Sequence, residues 1–261
     1  MAAEPLPLSV AIITRNEEAR LPDCLASVAF ASEVVVVDSG SSDRTVEIAN
    51  RFGARVHSEP WRGFGRQKQL AIERCTQPWV LVLDADERVS LELAAELRAL
   101  FAASPTASAW SMPRKNYFCG HWLRHAGWWP DRVVRLFRRG KARMNDRLVH
   151  EALEVDGPVA ELAGPLLHLT NRDLAHTLAK INQYSSAGAE ELARRGERGS
   201  VGKALARAAW AFLHGYILRL GLLDGAAGLA QALAHAVNTL FKYLKLWERQ
   251  QRGNGGRREK A

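Results

Sequence analysis

Three carboxylates follow directly on a short apolar run in the first half of the chain. Residues 79–83 are apolar, and Asp84, Asp86 and Glu87 come next, with one Ala between the two Asp residues. Such a run is typical of a buried strand in a parallel sheet, whose carboxyl end lies at the edge where these sheets bind ligands. Two Asp residues at positions i and i+2 can there reach one hard cation through oxygen ligands. The same pattern is also compatible with an acidic turn that opens the following helix.

The segments around this run alternate between strand and helix patterns. Apolar runs predict strands at 8–13, 34–37, 54–57 and 79–83. Helical patterns occupy 17–30, 45–52, 67–75 and 91–101. Strands that alternate with helices are joined by right-handed crossovers and pair in parallel. The fold class is therefore predicted as α/β, with a mostly parallel sheet flanked by helices.

Polar residues follow each of these four strands, so the fold should bring them to one rim of the sheet. The clusters are Thr14-Arg15-Asn16-Glu17, Asp38-Ser39-Gly40, the loop 61–68 and Asp84-Ala85-Asp86. Neither Gly-x-Gly-x-x-Gly nor the P-loop motif occurs in the sequence. A nucleotide at this rim would have to be bound without either motif.

Composition and charge limit the class of protein. The 261 residues are 47% hydrophobic, which is enough for a substantial core, and the net charge is +8. Residues 111–147 carry 10 basic and 2 acidic side chains, and residues 190–261 carry 13 and 6. Such zones suit phosphates, anionic lipid or nucleic acid. Three widely spaced Cys residues argue against a disulfide framework, and residues 1–7 lack signal-peptide features, so we expect a cytoplasmic protein.

From residue 107 the pattern changes to short strand-like pieces around an aromatic and basic stretch. Trp122, Trp128 and Trp129 are either core anchors or surfaces on which sugar rings stack. Guanidinium groups favour phosphate, and four of them follow: Arg132, Arg135, Arg138 and Arg139.

Beyond residue 171 the sequence predicts helices at 174–194, 203–220 and 226–249. The last two have wide apolar faces beside polar stripes. The stripes are Lys203, Arg207 and His214, and then Gln231, His235, Asn238, Lys242, Lys245 and Arg249. These helices would lie in a membrane interface, or they would cover the α/β part of the chain or a second subunit. Residues 251–261 are Gly-rich and charged, and are predicted to be disordered.

Three motifs in this order resemble the inverting family 2 glycosyltransferases. They are Thr14-x-Asn16-Glu17, Val37-Asp38-Ser39-Gly40-Ser41-x-Asp43 and Asp84-Ala85-Asp86. Within that family the chain is most similar to the lipopolysaccharide core β-1,4-glucosyltransferases. The segments that carry this similarity are Trp61-Arg62-Gly63-Phe64, Gly127-Trp128-Trp129-Pro130-Asp131, Val149-His150-Glu151 and Leu223-Asp224-Gly225. The resemblance extends to about residue 250.

The resemblance implies a nucleotide-sugar-binding, GT-A-like fold in which successive parts of the chain have different roles. Residues 1–106 would be the nucleotide-sugar-binding half and 107–170 the acceptor-binding half of one catalytic domain. Residues 171–250 would form a helical, membrane-associating extension, and 251–261 a disordered tail. The protein would act on the inner face of the cytoplasmic membrane, in contact with anionic lipid and without nucleic acid.

The resemblance also implies a site for a UDP-sugar. Donor-binding residues would be Thr14, Asn16, Glu17, Asp38, Ser39, Arg66, Lys68 and Asp84. Asp86 would hold Mg²⁺ or Mn²⁺, with Asp84 and His168 as further ligands. The reaction would move a hexose, glucose by the resemblance, to a lipid-linked or lipopolysaccharide-core saccharide.

Inversion at the sugar carbon requires one carboxylate to take the proton from the acceptor hydroxyl. Two candidates remain open. Asp131 stands four residues before Arg135, where the family carries a carboxylate with a downstream Arg, although Pro130 replaces the family's Glu. Glu151, in the His150-Glu151 pair, is the second candidate.

Two other functions are compatible with parts of the sequence. A sugar nucleotidyltransferase shares the α/β layout, but it should carry a Gly-rich loop after the first strand, and residues 14–17 contain no Gly. A non-enzymatic membrane or nucleic-acid binding protein would explain the basic charge, with a sequence pI of about 9.7. A binding protein of this kind would give no role to the acidic residues at the strand ends.

Overall fold

The structure is a computed structural model and describes residues 4–145, 152–171 and 173–258, with side chains to residue 252. The described residues form two compact units. The first contains the chain up to residue 115 together with 130–168, and the second contains 116–129 together with 169 onward.

The first unit is built on a parallel sheet. Its strands are β1 (Leu6–Thr14), β2 (Ala31–Asp38), β3 (Arg55–Ser58) and β4 (Trp79–Asp84). The helices beside them are α1 (Leu21–Ser27), α2 (Thr45–Arg51), α3 (Phe64–Glu73) and α4 (Leu91–Ala102). β1 pairs in parallel with both β2 and β4, and β2 pairs in parallel with β3. The predicted α/β class is confirmed.

Shorter strands extend the sheet beyond β4. In chain order they are β5 (Glu87–Val89), β6 (Ala109–Phe118), β7 (His121–Trp122), β8 (Asp131–Arg138), β9 (Ala142–Met144), β10 (Leu153–Val155), β11 (Val159–Glu161) and β12 (Leu166–Asn171). The sheet order is β3-β2-β1-β4-β8-β6-β12-β5, with β4–β8 and β8–β6 antiparallel. The parallel half is thus continued by an antiparallel half.

Both faces of the parallel half are buried, which explains why its strands are uniformly apolar rather than alternating. Val10 and Ile12 of β1 pack into one apolar cluster, while Ala11 and Ile13 pack into a second cluster. Full burial of each large aliphatic side chain contributes roughly 1.5–3 kcal/mol. This core holds the strand ends rigidly.

The strand register places the ends of β1, β2 and β4 at the same edge of the sheet, as the sequence predicts. Thr14 at the end of β1 lies opposite Asp38 at the end of β2, and Ile13 lies opposite Asp84 at the end of β4. The polar residues that follow β1, β2 and β4 therefore start from one edge of the sheet.

The second unit contains the C-terminal helices. They are α5 (Leu174–Arg194), α6 (Val201–Leu213), a π-helical turn (His214–Leu218), a 3-10 turn (Gly221–Asp224) and α7 (Gly225–Arg258). Asp173 and Ser200 cap α5 and α6 through their side-chain oxygens. α7 continues past residue 250, where the sequence analysis places a disordered tail, and the i,i+4 pair of Glu248 with Arg252 supports this continuation.

Residues 116–129 belong with these helices, and this differs from the boundary drawn at residues 106 and 107. The buried carboxylate of Asp224 accepts hydrogen bonds from the backbone N–H groups of Arg124 and His125, at 3.1 and 3.0 Å. It also lies 2.9 Å from His125 Nδ1. A carboxylate 100 residues away in sequence thus fixes this loop, which local patterns do not indicate.

No single helix in the described parts of the chain is long and apolar enough to cross a membrane by itself. Taken together, 201–218 and 221–252 reach that length and apolarity, with a bend of 73° at the break between them.

Candidate active site

The loops after β1 and β2 are joined by side chains of the sequence motifs. Asn16 adopts a left-handed backbone conformation with φ of 56°, which Asn tolerates better than most residues. Its side-chain oxygen accepts a hydrogen bond from Ser42 N at 2.8 Å, and its own N–H donates to Ser41 Oγ. The backbone N–H of Glu17 donates to Thr45 Oγ1 at 2.8 Å. Asn16 and Glu17 therefore join the two loops at the rim of the sheet, in addition to lining that rim.

Asp38 is buried, and its carboxylate holds its own loop. It accepts hydrogen bonds from the N–H groups of Gly40 and Ser41, both at 2.9 Å, and from the hydroxyls of Ser41 and Thr14. Four donors match the acceptor capacity of a carboxylate. Asp38 is also expected to bind the UDP-sugar. It could accept a hydrogen bond from that ligand only by giving up one of these four bonds.

Helix α3 brings three side chains to the rim, of which two are buried. Gln67 donates to Ser39 Oγ at 3.0 Å and to the carbonyl of Glu59. Lys68 is buried, whereas Arg66 is exposed. Arg66 is thus free to move at the surface, while Lys68 is fixed.

Asp84 is clamped between two cations. Its Oδ1 lies 2.7 Å from Lys68 Nζ, and its Oδ2 lies 2.8 Å from Arg135 Nη2. Burial by itself would raise the pKa of the Asp84 carboxyl, but the Lys68 and Arg135 charges outweigh burial and hold this pKa well below its usual range. Asp84 is therefore ionised at any working pH.

Glu87 is completely buried and links two arginines. Its Oε1 lies 2.7 Å from Arg135 Nη2 and 3.3 Å from Arg114 Nη1, and its Oε2 accepts a hydrogen bond from Asp84 N at 3.0 Å. Burial raises the pKa of this carboxyl, but the Arg135 charge outweighs burial, so the pKa is lowered. Glu87 acts as the counter-ion that keeps both arginines in place.

Asp131, the first candidate base, is paired with Arg114. The Arg114 Nη2 and Nε atoms lie 2.6 and 3.0 Å from Asp131 Oδ2. The pair forms because β6 and β8 are antiparallel with Arg114 opposite Asp131. A continuous chain of ion pairs therefore runs from Lys68 through Asp84, Arg135, Glu87 and Arg114 to Asp131.

Asp86 lies next to a cation and an imidazole. Its Oδ2 is 3.5 Å from Arg20 Nη1, and its Oδ1 is 3.7 Å from His168 Nε2. Carboxylate oxygens are ligands that Mg²⁺ and Mn²⁺ prefer, and two atoms 3.7 Å apart can both lie about 2.1 Å from one ion. Asp86 thus suits the predicted metal role, and His168 lies close enough to share the ion.

Asp84 does not complete a three-residue ligand set with Asp86 and His168, because Lys68 and Arg135 occupy its carboxylate. Within the described residues, no cluster of three or more His, Cys, Asp or Glu side chains could hold a metal ion. His150 and Glu151, the second candidate base, lie outside the described residues.

Sequence reasoning missed most of the cations that organise this site. It did not single out Arg20 or Arg114, it gave Glu87 no role, and it assigned Arg132 and Arg135 to phosphate. Arg135 instead binds Asp84 and Glu87, and Arg132 donates to the carbonyl of Leu162 at 2.9 Å. Only the Asp84-x-x-Glu87 spacing offered a signal, since a second acid so close to a buried strand needs a cation.

We predict that Glu87→Gln lowers the free energy of unfolding by about 3 kcal/mol or more. Removing one partner from a buried ion pair leaves uncompensated charge, here on Arg135 and Arg114. Chemical denaturation at pH 7 measures this difference. Glu4→Gln, at an exposed position before β1, is the control and should leave the stability unchanged.

The same variant tests the pH dependence of stability. The pKa values of Asp84 and Glu87 are lower in the folded protein than their ordinary values of 3.8 and 4.5. Their contribution to stability is therefore complete above those values and is lost as the pH falls below about 4.5. Glu87→Gln should lose less stability on acidification than the wild type. An unchanged acid profile would contradict the assigned role of Glu87.

The site combines a parallel α/β sheet with acids and fixed cations at its carboxyl rim, as in enzymes that bind phosphorylated ligands at that edge. Residues 9–154 match the family model described as Glycosyl transferase family 2. The chain therefore belongs to glycosyltransferase family 2 and is a glycosyltransferase. Membership of this family decides against a nucleotidyltransferase and against a non-enzymatic binding protein.

Two curated relatives are similar along nearly the whole chain. The lipopolysaccharide core biosynthesis glycosyltransferase LpsC of Rhizobium meliloti is 36% identical over 257 residues, which cover 94% of this chain and 93% of LpsC. An uncharacterised glycosyltransferase of Rickettsia typhi is 30% identical, covering 92% of this chain and 87% of that protein.

Solved structures resemble the chain more distantly. S. aureus TarS 1-349, solved in complex with UDP-GlcNAc, matches with a TM-score of 0.46 and 14% identity, covering 94% of this chain and 92% of that chain. The glucosyl-3-phosphoglycerate synthase of Mycobacterium tuberculosis, solved with Mn²⁺, UDP and glucosyl-3-phosphoglycerate, matches with a TM-score of 0.46 and 19% identity, covering 75% and 82%.

Proposed function

We propose that the protein is an inverting, divalent-metal-dependent glycosyltransferase that moves glucose from UDP-glucose to a lipid-linked or lipopolysaccharide-core saccharide. The observation that carries this proposal is the chain of ion pairs from Lys68 to Asp131, which joins the acidic strand end to the candidate base. Similarity to LpsC along 94% of the chain supports the acceptor class.

The residues of the rim divide the work between binding and proton transfer. Asp86 and His168 would hold the metal ion, which offsets the negative charge that develops on the departing nucleoside diphosphate. Lys68 is fixed beside the rim and adds positive charge for the same phosphates. Asp131 would take the proton of the acceptor hydroxyl, with Glu151 as the alternative base, and Arg114 orients the Asp131 carboxylate.

The acceptor and the location follow from charge. A phosphorylated, membrane-bound saccharide is anionic, and residues 111–147 carry 10 basic side chains against 2 acidic ones. Residues 190–261 carry 13 against 6, which favours contact with an anionic lipid surface. We therefore place the enzyme on the inner face of the cytoplasmic membrane.

A panel of nucleotide sugars tests the donor. In the presence of Mn²⁺, UDP-glucose should raise the Tm of the protein more than UDP-galactose, UDP-N-acetylglucosamine or GDP-mannose, because a ligand that binds only the folded state stabilises it. At a donor concentration 100-fold above Kd the gain is about 2.7 kcal/mol. Differential scanning fluorimetry with and without EDTA measures the shift and its metal dependence.

The control is the nucleotide alone. UDP and UDP-glucose should both stabilise the protein with Mn²⁺, whereas free glucose should not. A larger shift with GDP-mannose than with any UDP-sugar would refute the UDP-glucose assignment, and equal shifts in EDTA would refute the metal requirement.

A further inference from the structure

The second unit exposes an apolar surface on α6, the turn 214–224 and the first part of α7, which together we call the hairpin. Eleven large apolar side chains between residues 205 and 241 are exposed, each by 38% to 62%. Those used below are Leu205, Trp210, Leu213, Leu218, Leu222 and Leu233. Extended apolar patches are uncommon on soluble monomers and mark interaction surfaces.

Charged residues are sparse in this stretch. Between residues 204 and 241 the sequence contains Arg207, Arg219 and Asp224 and no other Asp, Glu, Lys or Arg. Asp224 is turned inward, because its carboxylate binds the backbone of Arg124 and His125. The exposed charges of the hairpin are therefore the two arginines.

Two lysines of the polar stripe of α7 are directed toward α5. Lys245 Nζ donates to the carbonyl of Asn182 and to the hydroxyls of Ser185 and Ser186, each at 2.8 Å. The Lys242 side chain passes over Gly188 of α5, where a Cβ would lie 2.8 Å from its Cδ. These two lysines thus face a neighbouring helix.

The turn of the hairpin is tight because its glycines allow close approach. A Cβ on Gly228 would lie 2.0 Å from the carbonyl oxygen of Gly221, and a Cβ on Gly221 would lie 2.8 Å from that of Gly215. The two helices therefore meet at a compact apolar tip that carries Leu218 and Leu222.

This arrangement departs from the usual one for helices in water. An amphipathic surface helix normally buries its apolar face and exposes its polar face. On α7 the side chains of Lys242 and Lys245 lie against α5, while Leu233 and Phe241 are exposed. Exposed apolar surface is unfavourable in water, and hydrocarbon removes that penalty.

We propose that the hairpin inserts its apolar surface into the boundary between headgroups and acyl chains of an anionic phospholipid bilayer. This inference rests on the proposed membrane location and names the surface that produces it. Helices of this type lie in the plane of the interface, about 5–10 Å deep. Arg207 and Arg219 then reach the lipid phosphates.

Charge favours a lipid surface over a second copy of the chain. A two-fold dimer through the hairpin would bring Arg207 and Arg219 of both copies into one apolar interface, where no exposed Asp or Glu of the hairpin is available to pair with them. An anionic bilayer instead neutralises them. The excess of basic residues in 190–261 points to the same partner.

Vesicle co-sedimentation tests the proposal. The wild type should bind vesicles that contain phosphatidylglycerol, and bind pure phosphatidylcholine vesicles more weakly. Leu218→Asp combined with Leu222→Asp should lower binding to the anionic vesicles at least 10-fold, because it places charge at the tip. Leu91→Asp, on α4 of the first unit and 88% exposed, is the matched control and should bind as the wild type does.

Circular dichroism and Tm confirm that each variant is folded, and light scattering measures the oligomeric state. Unchanged vesicle binding by the double variant overturns the proposal, as does a wild-type dimer that the double variant dissociates. Transfer to a soluble saccharide acceptor separates this inference from the proposed function. Transfer without vesicle binding overturns only the inference, and vesicle binding without transfer to any acceptor overturns only the function.

Discussion

Asp131→Asn is expected to lower the rate of sugar transfer by at least ~10²-fold while UDP-sugar binding stays intact. The amide keeps the shape of the carboxylate and can still accept a hydrogen bond from Arg114, which now lies 2.6 Å from Asp131 Oδ2. It can no longer take the proton from the acceptor hydroxyl. The value of kcat with saturating donor and acceptor, together with the Kd of the donor, measures the two effects separately.

Two further variants make this result specific. Glu151→Gln removes the second candidate base, and whichever variant loses transfer but keeps donor binding identifies the proton acceptor. Glu154→Gln on β10 removes an exposed carboxylate paired with Arg143 and should leave kcat unchanged. Full activity in both Asp131→Asn and Glu151→Gln would rule out both assignments.

Asp86→Ala is expected to abolish metal-dependent transfer while the protein remains folded. The substitution removes the carboxylate beside His168 that we propose as a metal ligand, and without the ion the charge on the departing nucleoside diphosphate would not be offset. Titration of transfer activity with Mn²⁺, and of UDP binding with and without Mn²⁺, measures this loss. Tm measured beside the activity shows whether the loss arises without unfolding.

Asp84→Asn is expected to behave differently from Asp86→Ala. It leaves Lys68 and Arg135 short of negative charge in a buried network, so it should lower Tm as well as activity. Asp156→Ala removes an exposed carboxylate paired with Lys141 and serves as the surface control. Undiminished transfer by Asp86→Ala in metal-depleted buffer would disprove the metal role.

Similarity to LpsC supports the reaction proposed for this enzyme. Family membership fixes the class of chemistry, namely transfer of a sugar to an acceptor. The identities of the donor sugar and of the acceptor are part of the proposal. The nucleotide-sugar panel and the transfer assay test them. The hairpin adds a physical reason for a membrane-bound acceptor, because it would hold the enzyme at the surface where that acceptor lies.

Local patterns were sufficient for the order of elements in the parallel half of the first unit. Apolar runs marked β1, β2 and β4 because both faces of the parallel half are buried, and the polar residues after them marked the rim. Helix α5 also has the predicted bounds, since Asp173 caps it and an apolar face runs along it. These signals are local, so a single sequence contains them.

The partners of the acids were not predictable in the same way. Arg114 meets Asp131 only because β6 and β8 pair in one register, and a shift of one residue would turn these side chains to opposite faces. Arg135 was read as a phosphate ligand because guanidinium groups often are. In the fold it is buried against Asp84 and Glu87, and a buried charge must find a partner.

The sequence by itself determined that acids would stand at the carboxyl rim of a parallel sheet and that the last helices would have apolar faces. Only the tertiary structure decided which cation holds each acid, and that Lys242 and Lys245 of α7 lie against α5 while Leu233 is exposed. The physical reason is that periodicity fixes which residues share a face of an element. It does not fix the rotation of that face or the register against elements far away in the chain, and both are set by packing and by the pairing of buried charge.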